Sequence, residues 1–180
     1  MENRIDLARY FKELGFKVGA EIGVADGRYS EILLSENPDL QLLSIDPYAP
    51  YDGNWRGKNY QNQAYEKAKM RLSVFGDRSV ILRNTSLEAS VNMIDNSLDF
   101  VFIDGAHDFN NVMLDIIIWT TKVKKGGIVS GHDAYDFRTG NVLEAIHAYS
   151  VANKVEMNII PRSEQGHKDD RVPCWYFIKK

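Results

Sequence analysis

Glu21-Ile22-Gly23-Val24-Ala25-Asp26-Gly27 follows an apolar lead-in and opens a helical pattern at Arg28. Nineteen residues past Gly27, Asp46 ends the next apolar run, Leu42-Leu43-Ser44-Ile45. A glycine turn between strand and helix, with a carboxylate about 20 residues on, is an arrangement that holds a nucleoside-containing cofactor. Two acids, Glu21 and Asp26, sit in or beside this turn. They repel a diphosphate and suit a cationic ligand that carries an amino acid. Gly23 and Gly27 let the backbone approach such a ligand without a Cβ clash. An ordinary strand–turn–helix glycine pair is the plain alternative.

Outward from this turn, helical and strand patterns alternate, which predicts an α/β layer fold. Leu7, Tyr10, Phe11 and Leu14 share a face of a first helix that Gly15 stops. Strands are expected at Val18–Ile22, Leu42–Ile45, Val80–Leu82, Leu98–Ile103 and Ile128–Ser130. Helices are expected at Arg28–Glu36, Tyr60–Phe75, Leu87–Ile94, Val112–Val123 and Asn141–Val151. The helix ending near Val123 meets Lys122, Lys124 and Lys125, then Gly126-Gly127, which reads as a glycine cap with cations at the negative end of the dipole. Val155–Ile160 and Trp175–Ile178 have no helix between them and read as an antiparallel pair.

A single domain over residues 1–180 is expected, long enough to bury roughly 70% of its unfolded surface. The net charge of −3 and the absence of a dense Lys/Arg block give no reason to expect nucleic acid or an anionic membrane as a constitutive partner. The single cysteine, Cys174, excludes an internal disulfide and fits a reducing, cytoplasmic compartment. Met1–Asp6 is charged without an apolar core and does not read as a signal peptide. The run Ile116–Trp119 is far too short for a membrane span.

The acidic residue and glycines at Glu21-x-Gly23-x-x-x-Gly27, the acid Asp46 ending strand two, and the final strand pair resemble the class I S-adenosylmethionine-dependent methyltransferases. The resemblance spans nearly the whole chain. Phe102-Ile103-Asp104-Gly105-Ala106-His107-Asp108, with Gly126-Gly127-Ile128-Val129-Ser130-Gly131-His132-Asp133, is similar to the small bacterial branch of macrocin-type and cephalosporin-pathway O-methyltransferases. The implied fold is a three-layer, doubly wound α/β sheet of seven strands, mostly parallel with the last strand antiparallel. The implied cofactor is S-adenosylmethionine, contacted at Glu21, Gly23, Asp26, Gly27, Asp46, Thr85, Ser86 and Asp104. Asp46 would accept the ribose hydroxyls, and Thr85 and Ser86 would meet the adenine edge.

The family's strand order makes the strands ending at Asp104 and Asp133 neighbours. Two such carboxylates share either a proton or a cation. The resemblance therefore implies Mg2+ or another divalent cation at Asp104, Asp133 and His132. Histidine here departs from the usual third carboxylate or amide and favours Mn2+ or Zn2+ over Mg2+. The metal-free alternative gives Asp104 a cofactor or loop contact. His107 is a candidate general base, as is His132, and Asp104 belongs to the same catalytic group; a loop hydrogen bond is the competing role for His107. His147 reads as a surface or packing residue, and His167 reaches substrate only if its loop folds inward. The segment Pro47–Asn59, with Tyr48, Tyr51, Trp55, Arg56 and Lys58, reads as either a lid or a solvated loop. With Tyr135–Arg138 and Ser163–Pro173 it would set specificity for a small-molecule acceptor such as a sugar or phenol. Contacts between copies of the chain stay open as a way to complete the pocket. Two rival functions remain: a nicotinamide-dependent oxidoreductase, disfavoured by the missing G-x-G-x-x-G and the acidic turn, and a non-catalytic cofactor-binding regulatory module.

Overall fold

The computed structural model of the protein describes residues 1–50, 57–135, 141–164 and 167–180. Seven strands form one sheet: β1 (Val18–Ile22), β2 (Gln41–Ile45), β3 (Ser79–Leu82), β4 (Leu98–Ile103), β5 (Val123–Gly131), β6 (Asn158–Ile160) and β7 (Cys174–Ile178). Their spatial order is β3-β2-β1-β4-β5-β7-β6. The first five are parallel, and β7 runs antiparallel to both β5 and β6. The expected three-layer, mostly parallel sheet with an antiparallel final strand is the observed one.

The chain winds outward from β1 to β3, then returns to β4 on the other side of β1. The strand order thus reverses between β1 and β4. Ligands in open α/β sheets bind at such a switch point, beyond the carboxyl ends of the strands. Glu21 pairs in register with Phe102 near those ends, and Asp104 lies just beyond β4.

Helices α1 (Arg4–Glu13), α2 (Arg28–Glu36) and α3 (Lys58–Leu72) cover one face, and α4 (Ser86–Val91), α5 (Phe109–Lys122) and α6 (Val142–Asn153) the other. The period of two along β4 makes this possible. Phe100 and Phe102 pack with Leu7, Phe11, Tyr29 and Leu33 on one side, while Val101 and Ile103 pack with Ile116, Trp119 and Ile146 on the other. The Phe11 and Phe100 rings stack at 4.1 Å, and a Cβ on Gly19 would collide with the Phe100 ring at 2.2 Å.

Several boundaries differ from the pattern. The fifth helix starts earlier, at Phe109, because Asp108 caps it by accepting from the Asn111 amide. It ends without a glycine cap, at extended Val123. Gly126 and Gly127 instead serve the sheet: Gly126 donates to Lys179 O at 2.8 Å, and a Cβ on Gly127 would sit 2.5 Å from Asp99 O. The third helix gives way to a 3₁₀ turn over Ser73–Arg78, and β6 is shorter than the apolar run suggested. No described helix is long and apolar enough to cross a membrane.

Candidate active site

A cleft of about 940 Å3 opens at the switch point, within the size range of small-molecule and cofactor sites. The β1–α2 turn forms one wall. Gly23, Ala25 and Gly27 all have positive φ (86°, 49° and 80°). A Cβ on Gly23 would meet the Asp104 carbonyl oxygen at 2.0 Å, so this glycine lets the turn touch the end of β4. The bare side of Gly27 faces Ala68 of α3, its nearest atom at 3.2 Å, and not the cleft. Gly27 therefore closes helix packing in this structure, while the expectation had it admitting a ligand.

Asp46, just past β2, holds this turn. Its Oδ2 accepts from the Val24 and Ala25 amides, each at 3.0 Å, and its Oδ1 accepts from the Tyr48 amide at 2.7 Å. A carboxylate has about four acceptor positions, so the backbone takes most of the capacity expected to meet two ribose hydroxyls. Burial pushes the Asp46 carboxyl up, against the pull of the three amides.

Glu21 is buried beneath the turn. It accepts a short hydrogen bond from Ser30 Oγ, which lies 2.8 Å from Ser44 Oγ. Burial raises its pKa to about 8 despite the Ser30 bond. Burial thus pushes Glu21 toward its neutral form, where the sequence suggested an ordinary carboxylate. Asp26 lines the cleft, but its charge is met by Arg71 of α3 at 3.4 Å.

Thr85 and Ser86 lie beside the cleft with their hydroxyls engaged. Thr85 forms a capping box with Glu88 at the start of α4. Ser86 Oγ donates to Asp115 and accepts from Trp119 Nε1 at 2.7 Å. Burial pushes Asp115 up to about 6. Asp115 was not singled out from the sequence, although a carboxylate between Val112 and Trp119 on an apolar helix face was visible there.

The densest chemistry lies where β4 and β5 end. Asp133 Oδ2 is 3.1 Å from His107 Nε2 and 3.2 Å from His132 Nδ1. Asp104 Oδ1 is 3.6 Å from His132 Nδ1 and 4.0 Å from His107 Nε2. Asp133 has φ of 58°, an uncommon conformation for a residue with a side chain. Burial works against ionisation of Asp133, but the two histidines outweigh it and hold the carboxyl well below its usual range. Burial raises Asp104, opposed by His132. The bond to Asp133 raises His107. His132 is buried, which alone would lower it, yet Asp104 and Asp133 lift it to about 9. Its Nε2 donates to Asp169 O at 2.9 Å.

One ligand atom each from Asp104, His107 and Asp133 lie within 4.8 Å of one another, a geometry compatible with a metal ion. His107, half-exposed on the cleft side, thus joins the two aspartates in a grouping for which the sequence nominated His132. His132 Nδ1 stays within hydrogen-bond reach of Asp133 at 3.2 Å and at ion-pair distance from Asp104 at 3.6 Å. The other expected elements divide. Tyr48 turns inward against Tyr65, Ala64 and Ala68, and so forms no substrate wall. Tyr51, Trp55 and Arg56 lie outside the described residues, as do residues 136–138. Tyr135, Lys168, Asp169 and Val172 line the cleft. His147 and His167 are exposed, and neither lines the cleft. Arg4, Arg28 and Asp170, which meet beside the site, carried no signal in the sequence.

A methyltransferase-domain family model matches residues 20–134. An uncharacterised protein of Acanthamoeba polyphaga mimivirus is 22% identical over 160 residues, 86% of this chain; the chain spans 66% of that relative's length. Among solved structures, an O-methyltransferase from Bacillus cereus in complex with S-adenosylhomocysteine has a TM-score of 0.71 at 14% identity, covering 98% of this chain and 80% of the other. The O-methyltransferase TomG from Streptomyces achromogenes, in complex with S-adenosylmethionine, has a TM-score of 0.68 at 16% identity, with coverage of 98% and 80%. An rRNA methylase from Streptococcus thermophilus has a TM-score of 0.67 at 12% identity, with coverage of 98% and 93%. Likeness at these identities establishes a shared fold. The family match runs from Ala20, within β1, to Ala134, the stretch that carries the glycine turn, Asp46, the β4 end and the β5 end. The chain belongs to this methyltransferase-domain family.

Proposed function

We propose that the protein is an S-adenosylmethionine-dependent methyltransferase acting on an oxygen of a small hydroxylated acceptor, with a divalent cation held by Asp104, His107 and Asp133. The observation that carries this reading is the convergence of those three side chains beside the β1–α2 turn. The acids of the cleft support this choice of cofactor: Glu21, Asp46 and Asp104 lie in its walls, and carboxyl oxygens there would accept from a cationic nucleoside that bears an amino group.

When bound, the cofactor supplies an electrophilic methyl group. The protein supplies alignment and deprotonation. Asp46 orients the turn. Glu21, pushed toward its neutral form by burial, accepts from Ser30 beneath the turn. Asp104 and Asp133 gather negative charge at the acceptor end, and a cation there would lower the pKa of an acceptor hydroxyl. His107, which Asp133 makes more basic, would act as the proton acceptor only with the cation absent, because a ligating imidazole cannot also take a proton. His132, buried beside the two carboxylates, is raised by them. A small acceptor in place of nucleic acid is supported by the net charge of −3. A cytoplasmic setting is supported by the buried free thiol of Cys174.

Calorimetry tests the reading. S-adenosylhomocysteine should bind the folded chain with one site, and NAD and NADP should not. Absence of S-adenosylhomocysteine binding by a well-folded sample overturns it. A regulatory module that only binds cofactor would keep its function in Asp104→Asn and Asp133→Asn variants, whereas an enzyme would lose turnover.

A further inference from the structure

Asp170 lies between β6 and β7, on a 3₁₀ turn over Lys168–Arg171, and is 1% exposed. Its Oδ1 accepts from Arg4 Nε at 2.8 Å and its Oδ2 from Arg28 Nη2 at 2.5 Å. Arg4 is the first residue of α1 and Arg28 the first of α2. A segment near the chain's end is thus tied to two helices from its beginning. A buried carboxylate between two cations gains little net stability, because desolvation offsets the attraction. Fixing a position is the better-attested use of such a group.

What is fixed can be followed atom by atom. The neighbour of Asp170, Asp169, presents its carbonyl oxygen to His132 Nε2 at 2.9 Å. That bond sets the imidazole so that Nδ1 points at Asp133 and Asp104. Arg4 is itself held on every side. Its guanidinium lies 4.8 Å over the Tyr29 ring, its carbonyl accepts from Tyr29 Oη at 2.9 Å, and its Nη1 is 3.8 Å from Asp104 Oδ2. The segment is also tied to the residues just past β5, where Ala134 N donates to Pro173 O at 3.0 Å.

We propose that Asp170 is a positioning residue of this site: clamped by Arg4 and Arg28, it holds the Asp169 carbonyl against His132 Nε2 and thereby aims His132 Nδ1 at the Asp104–Asp133 pair. The clamp stands on geometry alone. Only its service to catalysis rests on the methyltransferase reading.

The test is nuclear magnetic resonance on the full chain. The His132 Nε2–H proton, assigned by its loss in His132→Asn, should be visible and slow to exchange in the unchanged protein. In Asp170→Ala it should exchange at least about tenfold faster, as a locally opened bond does. The Trp119 indole N–H, bonded to Ser86 in another part of the molecule, should keep its position and serve as the control for a general loss of structure. Arg28→Met removes only the outer arm and should give intermediate exchange, which keeps the test available if Asp170→Ala does not fold. An unchanged His132 signal in either folded variant overturns the proposal. S-adenosylhomocysteine titration of the same samples separates the two ideas. Failure of the unchanged protein to bind it sinks the methyl-donor reading and leaves the clamp intact, while normal binding with an unmoved His132 signal sinks the clamp alone.

Discussion

His107 Nε2 lies 3.1 Å from Asp133 Oδ2, joining the start of the segment after β4 to the end of β5. A divalent cation at this place competes with a proton, because imidazole binds metal only when neutral. Mn2+ affinity measured by calorimetry should therefore fall as pH drops through the raised pKa of His107. His107→Ala should weaken Mn2+ binding by at least about tenfold, since loss of even an outer-shell partner commonly costs that much. Binding that ignores both pH and the substitution would remove His107 from the metal site.

Glu21 makes a separate, pH-dependent contribution to stability. Its carboxyl titrates near 4.5 when unfolded and at about 8 in the fold. Below about 4.5 both states hold the proton; between about 4.5 and 8 only the folded state does. Its stabilising effect is then present at low pH and lost as pH rises toward 8. In the ligand-free chain, Glu21→Gln should flatten this part of a urea-denaturation series taken across pH. A slope the same in both proteins would show that Glu21 is ionised in the fold.

Asp46 answers three backbone amides at once, so its removal leaves turn donors without a partner. Asp46→Ala should cost about 2–4 kcal/mol in urea denaturation and lower S-adenosylhomocysteine affinity at least about tenfold, with Asp46→Asn in between. Unchanged stability in Asp46→Ala would mean that water replaces the carboxylate at no cost.

Much of this site was readable because acids at strand ends are placed by the strand period itself. Once β1, β2, β4 and β5 are recognised, Glu21, Asp46, Asp104 and Asp133 must gather at one edge. What each acid does there depends on neighbours that periodicity does not specify. Asp46 turned to amides, Asp26 to Arg71, and Ser86 to Asp115 and Trp119. The glycine pair at Gly126-Gly127 looked like a helix cap because lysines precede it, yet close contact with Asp99 draws it into the sheet. Arg4 and Asp170 are 166 residues apart. No local pattern announces a pair of that kind; only the antiparallel return of β7 brings the preceding segment back to α1.

The contact of Gly23 with the Asp104 carbonyl has its own consequence. The β1–α2 turn and the end of β4, which leads into Asp104, abut backbone to backbone at Gly23, with no room there for a side chain. Their separation behaves as a built-in gauge: any side chain at Gly23 would have to push the two apart. Under the proposed function, acceptors of different size would be accommodated at the rim, where Tyr135, Lys168 and Val172 stand.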